Sequence, residues 1–416
     1  MDAAAVIGCL RDRSILITGS TGFLGKMLVE KILRVQPDVG KLYLLVRAPD
    51  AASAEHRVLT KVVETTLFDV LRTKHGADFN SFIKNKISPL PGDITKETCA
   101  LRDSMVEQIS KEIHVIVSVA ATTSFYERYD VALASNTLGV AHVCDLAKKC
   151  ANLKMLLHVS TAFVAGEQEG LLVEKPFDVG KALKKDYNLD IQSSDDKIEK
   201  RKMKKLGLKR ARHFGWPNVY SLTKSMGEML LGTLERDLPV VIVRPSIISS
   251  TFQEPMPGWT EGTRTMDMLY VTYNDQKLPC FIGERNVIVD VTLHVMGVFG
   301  HSLSQHYNKL KRGYNFLILV AELYAPYAFF KGCFDDTNMR NLWAITSEDQ
   351  LKDGSTFDCD PACIDWGSYL INTHIPAALT YARNNNWMNK AYRSAQGRRN
   401  YKNLYLIIIM YVLLFM

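Results

Sequence analysis

The sequence predicts an α/β fold, a doubly wound parallel sheet with a smaller, mainly helical C-terminal domain. Up to residue 250, short runs rich in Leu and β-branched residues alternate with longer amphipathic segments, which is typical of βαβ units. The short runs are apolar throughout, as expected of strands buried on both faces. The predicted strands are Ser14 to Thr18, Lys41 to Val46, Ile87 to Pro91, His114 to Val119, Met155 to Ser160 and Pro239 to Val243.

Composition and charge exclude few functions. The 416-residue chain is 47% hydrophobic, which is ordinary for a globular protein with an ample core. Its net charge of +7 suits anionic ligands, such as phosphorylated cofactors or an acidic membrane surface, and does not require nucleic acid. Residues 197–212 are dense in Lys and Arg, for which a solvated helix face is the simpler interpretation.

Cysteine usage and the first residues indicate a cytosol-facing protein without metal. Cys359 and Cys363, the closest cysteine pair, have no second pair or His cluster nearby, so we expect reduced thiols and no metal site. Residues 1–10 lack a basic start and a cleavage site, so no secretory signal is predicted.

A glycine-rich turn follows the first predicted strand. Its sequence, TGSTGFLG, spaces three glycines as GxxGxxG directly ahead of a predicted helix, and this order of strand, turn and helix is typical of dinucleotide binding in a Rossmann-type fold. The glycines allow a tight turn and close approach of a pyrophosphate, to which the helix N-terminus offers amide groups. The predicted cofactor-binding residues here are Thr18, Gly19, Thr21, Gly22, Phe23, Leu24 and Gly25.

The ends of three later strands complete the predicted cofactor site. Arg47 follows the second strand, where a guanidinium can pair with a 2′-phosphate, so NADPH is favoured over NADH unless Arg47 merely extends into solvent. After the third strand, Asp93 offers a carboxylate to the adenine amine, with Ile94 beside it. After the fourth, the small residues Ala120 and Ala121 leave room for the cofactor to cross.

A Tyr and a Lys four residues apart predict the proton donor for reduction of a carbonyl group. Tyr220 and Lys224 would share one face of a helix, where the Lys charge lowers the pKa of the phenol and holds the nicotinamide ribose. Such a Tyr can donate the proton that a reduced carbonyl oxygen needs. Ser160 and Thr161 end the fifth strand with hydroxyls able to bind that oxygen, and the spacing to Gly166 favours Thr161.

These motifs resemble the extended short-chain dehydrogenase/reductase superfamily, and longer strings resemble the plant alcohol-forming fatty acyl-CoA reductases. TGSTGFLGK, KLYLLVRA, VAATTSFYERYDVAL, LLHVSTAFVAGE and WPNVYSLTKSMGEML are similar to that family, and FKGCFDDTN and WGSYLINTH to its C-terminal male-sterility domain. The resemblance implies two successive NADPH-dependent reductions, from a long-chain fatty acyl-CoA through an aldehyde to a primary alcohol, with release of coenzyme A. It also implies contact with the cytosolic face of the endoplasmic reticulum membrane.

The domain boundaries follow from the same comparison. We expect an NADPH-binding domain over residues 1–285, a shortened connecting segment over 286–313, a helical domain over 314–395 and a basic and apolar tail over 396–416. The tail's apolar part, LYLIIIMYVLLFM, would reach only about 20 Å as a helix, against a bilayer core of roughly 30 Å. A marginal anchor, an interfacial segment and an altered chain end remain open for it.

The chain departs from the family in its short middle and its apolar tail. One alternative is therefore a non-catalytic member that binds NADPH but has lost part of its substrate lobe. A second alternative, a different reductase of the same superfamily, would share the glycine turn and the Tyr–Lys pair.

Overall fold

A six-stranded parallel sheet forms the centre of the N-terminal part. Its strands lie in the order β3-β2-β1-β4-β5-β7, so the winding direction reverses between β1 and β4. In register, Leu16 of β1 pairs with Tyr43 of β2 on one side and with Ile116 of β4 on the other. The strands are β1 (Ser14–Thr18), β2 (Leu42–Val46), β3 (Ile87–Pro91), β4 (Ile113–Ser118), β5 (Met155–Val159) and β7 (Val240–Val243). The predicted sheet and its six strands are confirmed to within one residue at either end.

The computed structural model describes residues 10–177, 180–183, 200–234, 238–262, 267, 271, 274, 322–327, 330, 332–342, 344 and 364–385. These residues fall into two compact units. The first contains the described residues of 10–248 and 330–344, and the second those of 249–274, 322–327 and 364–385.

Helices of the first unit connect and cover the strands. They are α1 (Phe23–Val35), α2 (Ala51–Val58), α3 (Asp69–His75), α4 (Phe79–Lys86), α5 (Asp103–Glu112), α6 (Tyr129–Leu133), α7 (Gly139–Lys149), α8 (Lys200–Phe214) and α9 (Val219–Leu234). Successive β1 residues Ile15, Leu16 and Ile17 are all at most 1% exposed, so both faces of this strand are covered. This explains why the strands have no polar alternation in the sequence.

Two apolar clusters hold the helices in place. In the first, Leu16 and Ile116 of the sheet pack with Ile109 of α5 and Val143 of α7. In the second, α6, α8 and α9 pack around the buried indole of Trp216. The basic segment predicted as a solvated helix face contributes α8, whose Met203, Ala211 and Phe214 are buried in the second cluster.

A small second sheet joins distant parts of the first unit. Strand β6 (Gly170–Leu172) pairs in parallel with β8 (Gly332–Phe334), which lies in the FKGCFDDTN string. The ring of Phe334 packs edge-on against Phe163 at 5.4 Å between centroids. The described residues of 330–344 therefore group with the first compact unit, and the predicted domain bounds stay predictions. Residues 286–313 and 396–416 lie outside the described residues.

The second unit is helical in its described C-terminal part. Residues Trp366–Ser368 and Tyr369–His374 lead without interruption into α10 (Ile375–Asn384). The Tyr369 hydroxyl donates to the backbone carbonyl of Ser250 (2.7 Å), and His374 lies between the Ser250 hydroxyl (3.1 Å) and Asp267 (2.9 Å). This buried polar network ties residues after β7 to the C-terminal helix of the unit.

None of the helices within the described ranges is long and apolar enough to cross a membrane. The predicted tail segment 404–416 lies outside those ranges.

Candidate active site

The glycine turn after β1 fits a bound dinucleotide. Gly19 adopts a φ of +73°, and a Cβ there would lie 2.7 Å from the Cα of Ala120. A Cβ on Gly25 would lie 2.3 Å from the carbonyl oxygen of Gly19. The backbone is thus closely packed at the ends of β1 and β4, and a side chain at either glycine would clash with it, as the close turn of a dinucleotide-binding loop requires.

Thr18 joins the two strand ends that border this crevice. Its side chain is 1% exposed, and its hydroxyl accepts from the amides of Val119 (3.1 Å) and Ala120 (3.2 Å). The predicted residues Ala120 and Ala121 therefore lie beside the glycine turn. No side chain caps α1 at Gly22, so the first-turn amide groups of α1, which have no acceptor within the helix, suit an anion.

Two arginines lie at the end of β2. Arg47 is exposed, and Arg57 of α2 donates from Nη1 to the backbone carbonyl of Arg47 at 2.8 Å. The nearby carboxylate of Asp50 caps α2 by accepting from the Ser53 amide (2.7 Å), and this bond lowers the pKa of Asp50. The sequence analysis missed Arg57, because an arginine on an amphipathic surface helix carries no signal of its own.

Asp93 is partly engaged by its own turn. Its Oδ1 accepts from the amide (2.9 Å) and the hydroxyl (3.0 Å) of Thr95, which leaves Oδ2 for an adenine amine. Ile94 is 9% exposed, and its carbonyl accepts from His142 Nδ1 at 2.7 Å. Both predicted residues thus border the end of β3 in fixed conformations.

Helix α9 carries Tyr220 and Lys224 one turn apart. Tyr220 is half-buried, with its ring 6.1 Å from that of Phe125. Lys224 is 1% exposed, and its Nζ donates to the carbonyl of Val159 at 2.7 Å. Burial lowers the pKa of Lys224 to about 8, against the opposing effect of Glu228. The bond to Val159 brings the Tyr–Lys helix to the strand end that bears Ser160 and Thr161.

The two candidate hydroxyls differ in their surroundings. Thr161 caps the short helix Ala162–Ala165, because its Oγ1 accepts from the Phe163 amide at 3.4 Å, and it also donates to the Pro245 carbonyl at 3.4 Å. Ser160 is 3% exposed, and its Oγ has no hydrogen-bond partner within the described part of the chain.

Asn136 is a second residue that the sequence analysis left without a role. Its Oδ1 accepts from the Thr122 amide (2.9 Å), and its Nδ2 donates to the Thr122 carbonyl (3.0 Å) and to the Thr223 hydroxyl (3.0 Å). The side chain holds the loop after Ala121 against α9. Among the residues that the structure describes, no three His, Cys, Asp or Glu side chains meet as a metal site.

The fold and the site define an oxidoreductase with an NAD-binding domain. A male sterility protein model of the NAD-binding type matches residues 17–296, and a second male sterility protein model matches residues 287–385. The chain is 36% identical to Fatty acyl-CoA reductase 1 of Arabidopsis thaliana, covering 89% of this chain and 98% of that protein. It is 35% identical to the Alcohol-forming fatty acyl-CoA reductase of Simmondsia chinensis, covering 92% of this chain and 100% of that protein. The chain therefore belongs to the male sterility family of fatty acyl-CoA reductases.

A comparison with solved structures gives matches of lower similarity. The reductase domain of a nonribosomal peptide synthetase from Mycobacterium tuberculosis is 24% identical, with a TM-score of 0.42 over 62% of this chain and 54% of that one.

The alignment with the Arabidopsis relative also measures what this chain lacks. The alignment covers 480 positions, but only 89% of the 416 residues of this chain, about 370, take part in it. About 110 residues of the relative therefore have no counterpart in this chain.

Proposed function

We propose that the chain reduces long-chain fatty acyl-CoA to the primary fatty alcohol in two NADPH-dependent steps, with an aldehyde between them and release of coenzyme A. The observation that carries the proposal is the contact of Lys224 with Val159, which joins Tyr220 to the strand end with Ser160 and Thr161. The Simmondsia relative is an alcohol-forming reductase by name, which supports the second reduction.

The glycine turn and α1 would hold the pyrophosphate, and NADPH supplies the hydride in each step. In the first step, Thr161 would orient the thioester carbonyl oxygen, and Tyr220 would give it a proton as the carbon is reduced. The resulting hemithioacetal loses its C–S bond and the hydroxyl proton, which yields the aldehyde and the free thiol. After it is reprotonated, Tyr220 would donate a proton to the aldehyde oxygen in the second step.

Lys224 would keep the Tyr220 phenolate accessible. Its buried ammonium, one helical turn from Tyr220, would stabilise the phenolate that remains after proton donation. Its pKa of about 8 leaves Lys224 charged at neutral pH.

The choice of NADPH over NADH rests on the β2 end. Arg47 follows β2 directly, and Arg57 is bonded to its backbone carbonyl, so either guanidinium could pair with a 2′-phosphate, while the nearby Asp50 is occupied as a helix cap.

The test is to express the chain with NADPH and long-chain acyl-CoA and to measure fatty alcohol by mass spectrometry, with Tyr220→Phe as the control. Alcohol that disappears in Tyr220→Phe supports the proposal. NADPH binding without alcohol would favour a non-catalytic member, for which the roughly 110 missing positions are the specific observation.

A membrane-facing location at the endoplasmic reticulum is part of the same proposal. Long acyl chains partition into bilayers, and residues 404–416 are apolar throughout. Cell fractionation of the chain with and without residues 404–416 tests it, because an anchoring role requires that the deletion releases the protein.

A further inference from the structure

We propose that His158 is a positioning residue, a neutral imidazole that fixes the Lys224 ammonium in the orientation needed by the Tyr220 site. The proposal deepens the function above and rests on it for the role of Lys224. It concerns a residue that neither the motif Tyr–Lys nor the glycine turn includes.

The contacts of His158 fit one protonation state, provided that Lys224 is charged and donates to the ring. Its Nε2 lies 3.4 Å from Lys224 Nζ, and its Nδ1 lies 3.4 Å from Ser118 Oγ. An ammonium only donates hydrogen bonds, so Nε2 must be unprotonated and accept. The proton of the neutral ring then lies on Nδ1, which donates to Ser118. A charged imidazolium would instead place two buried cations next to each other.

All three side chains of this arrangement are buried away from water. His158 and Lys224 are each 1% exposed and Ser118 is 5% exposed, so water does not replace a lost partner. Burial together with the Lys224 charge holds the pKa of His158 well below its usual range, in agreement with the neutral ring required by the contacts.

Two acceptors from consecutive β5 residues orient the ammonium. Lys224 donates to the carbonyl of Val159 at 2.7 Å and to the ring of His158. An ammonium has three N–H groups, so this leaves one for the nicotinamide ribose or for Tyr220. Without His158 the head group would lose one of the two contacts that set its rotation.

Other charged groups near Lys224 do not replace this contact. Glu228, one turn further along α9, is held by Arg244 through both carboxylate oxygens, with Nε to Oε1 at 3.1 Å and Nη2 to Oε2 at 2.6 Å. Tyr220 lies on the same helix, and Ser118 faces His158 from β4. The helical segment Ala134–Leu138 packs on α9 through Asn136 and Thr137, and neither of these side chains titrates.

The experiment compares His158→Leu with His158→Gln, whose amide oxygen can accept from Lys224. In His158→Leu the buried ammonium loses an acceptor, so the pKa of Lys224 should fall further and the basic limb of the kcat/KM profile should move to lower pH. We expect kcat/KM at pH 8 to fall about tenfold to a hundredfold, the usual effect of losing a hydrogen bond to a charged group. His158→Gln should keep the basic limb near its wild-type position.

His114→Leu is the matched control. His114 lies near the start of β4, at the opposite end of the strand from Ser118, and its Nδ1 accepts from the Ser14 amide at 3.2 Å. The substitution should change thermal stability without moving the pH profile. An unshifted basic limb in His158→Leu, or a shift equal to that in His114→Leu, would overturn the proposal.

The pH dependence of NADPH binding separates this proposal from the catalytic one. The dissociation constant is measured from pH 6 to 9 on the full chain by cofactor fluorescence, without acyl-CoA. If the wild type binds NADPH but forms no alcohol, the proposed activity fails. The role of His158 is still supported if, as pH rises, NADPH affinity begins to fall at a lower pH in His158→Leu than in the wild type. The same affinity profile in both proteins would exclude that role.

Discussion

Arg57 donates a hydrogen bond to the backbone carbonyl of Arg47 across 2.8 Å, which fixes one guanidinium at the end of β2. The carbonyl acceptor leaves the other N–H groups of Arg57 for a ligand, and Arg47 itself is exposed beside it.

Arg57→Ala should weaken NADPH binding about tenfold, because a charge-assisted bond to the 2′-phosphate would be lost. NADH, which lacks this phosphate, should bind equally well to both proteins. Dissociation constants for the two cofactors check this. Arg72→Ala is the matched control, since Arg72 also donates to a backbone carbonyl, that of Val63 at 2.6 Å. Equal losses for NADPH and NADH would contradict a phosphate contact.

Gly19→Ala should prevent cofactor binding and destabilise the fold. The new methyl group would meet the Ala120 backbone at 2.7 Å, and the positive φ adds strain. Overpacking costs about 1–3 kcal/mol and the backbone strain about 1–3 kcal/mol. Gly76→Ala separates the two effects, because Gly76 has a φ of +51° and a methyl group there would meet nothing within 4 Å. Urea unfolding should show the larger loss for Gly19→Ala, with NADPH binding kept in Gly76→Ala.

Asn136→Ala should lower both stability and kcat/KM. It removes three hydrogen bonds and leaves the Thr122 backbone and the Thr223 hydroxyl without that partner, at a cost of about 1–3 kcal/mol. Asn152→Ala, which removes one exposed bond to the Lys111 carbonyl, is the comparison. Similar unfolding midpoints for the two variants would show that Asn136 does not hold the loop.

Thr161→Val should reduce kcat by about a hundredfold if this hydroxyl binds the reacting oxygen. Thr161→Ser keeps both the hydroxyl and the helix cap, so it should retain most activity. Ser160→Ala removes a buried hydroxyl without a described partner and should change stability little. Steady-state kinetics of the three variants decide between the hydroxyls. A larger loss in Ser160→Ala would assign the role to Ser160.

Lys224→Met should change how stability depends on pH. The pKa of Lys224 falls from 10.5 in the unfolded chain to about 8 in the folded one, so between these values the unfolded chain binds more protons. Wild-type stability therefore gains from this group as pH rises from about 8 to 10.5, and this gain is lost again as pH falls from 10.5 to about 8. The difference in unfolding free energy between wild type and Lys224→Met should move in favour of the wild type over this range. A constant difference would mean that burial does not lower the pKa of Lys224.

The elements with a local signal could be predicted from the sequence. The six strands and the glycine turn depend on apolar runs and on short spacings, which periodicity reveals. The contacts of Asn136 with Thr223 and of His158 with Lys224 join residues 87 and 66 positions apart. No pattern in either segment indicates its partner, because these roles arise only once α9 packs on the sheet.

Arg57 could not be predicted from the sequence for a different reason. Its segment is an ordinary amphipathic helix, and an arginine on its surface is common. Only the bond to the Arg47 carbonyl distinguishes it from other surface arginines.

The pairing of β6 with β8 also has a consequence for biosynthesis. The two strands are separated by about 160 residues of chain, so they cannot pair until residue 334 has left the ribosome. During translation β6 therefore lacks its partner strand β8, while the earlier strands of the large sheet can already assemble. Nascent chains that stall before residue 332 should therefore expose the edge of β6, together with the phenyl face of Phe163, to chaperones.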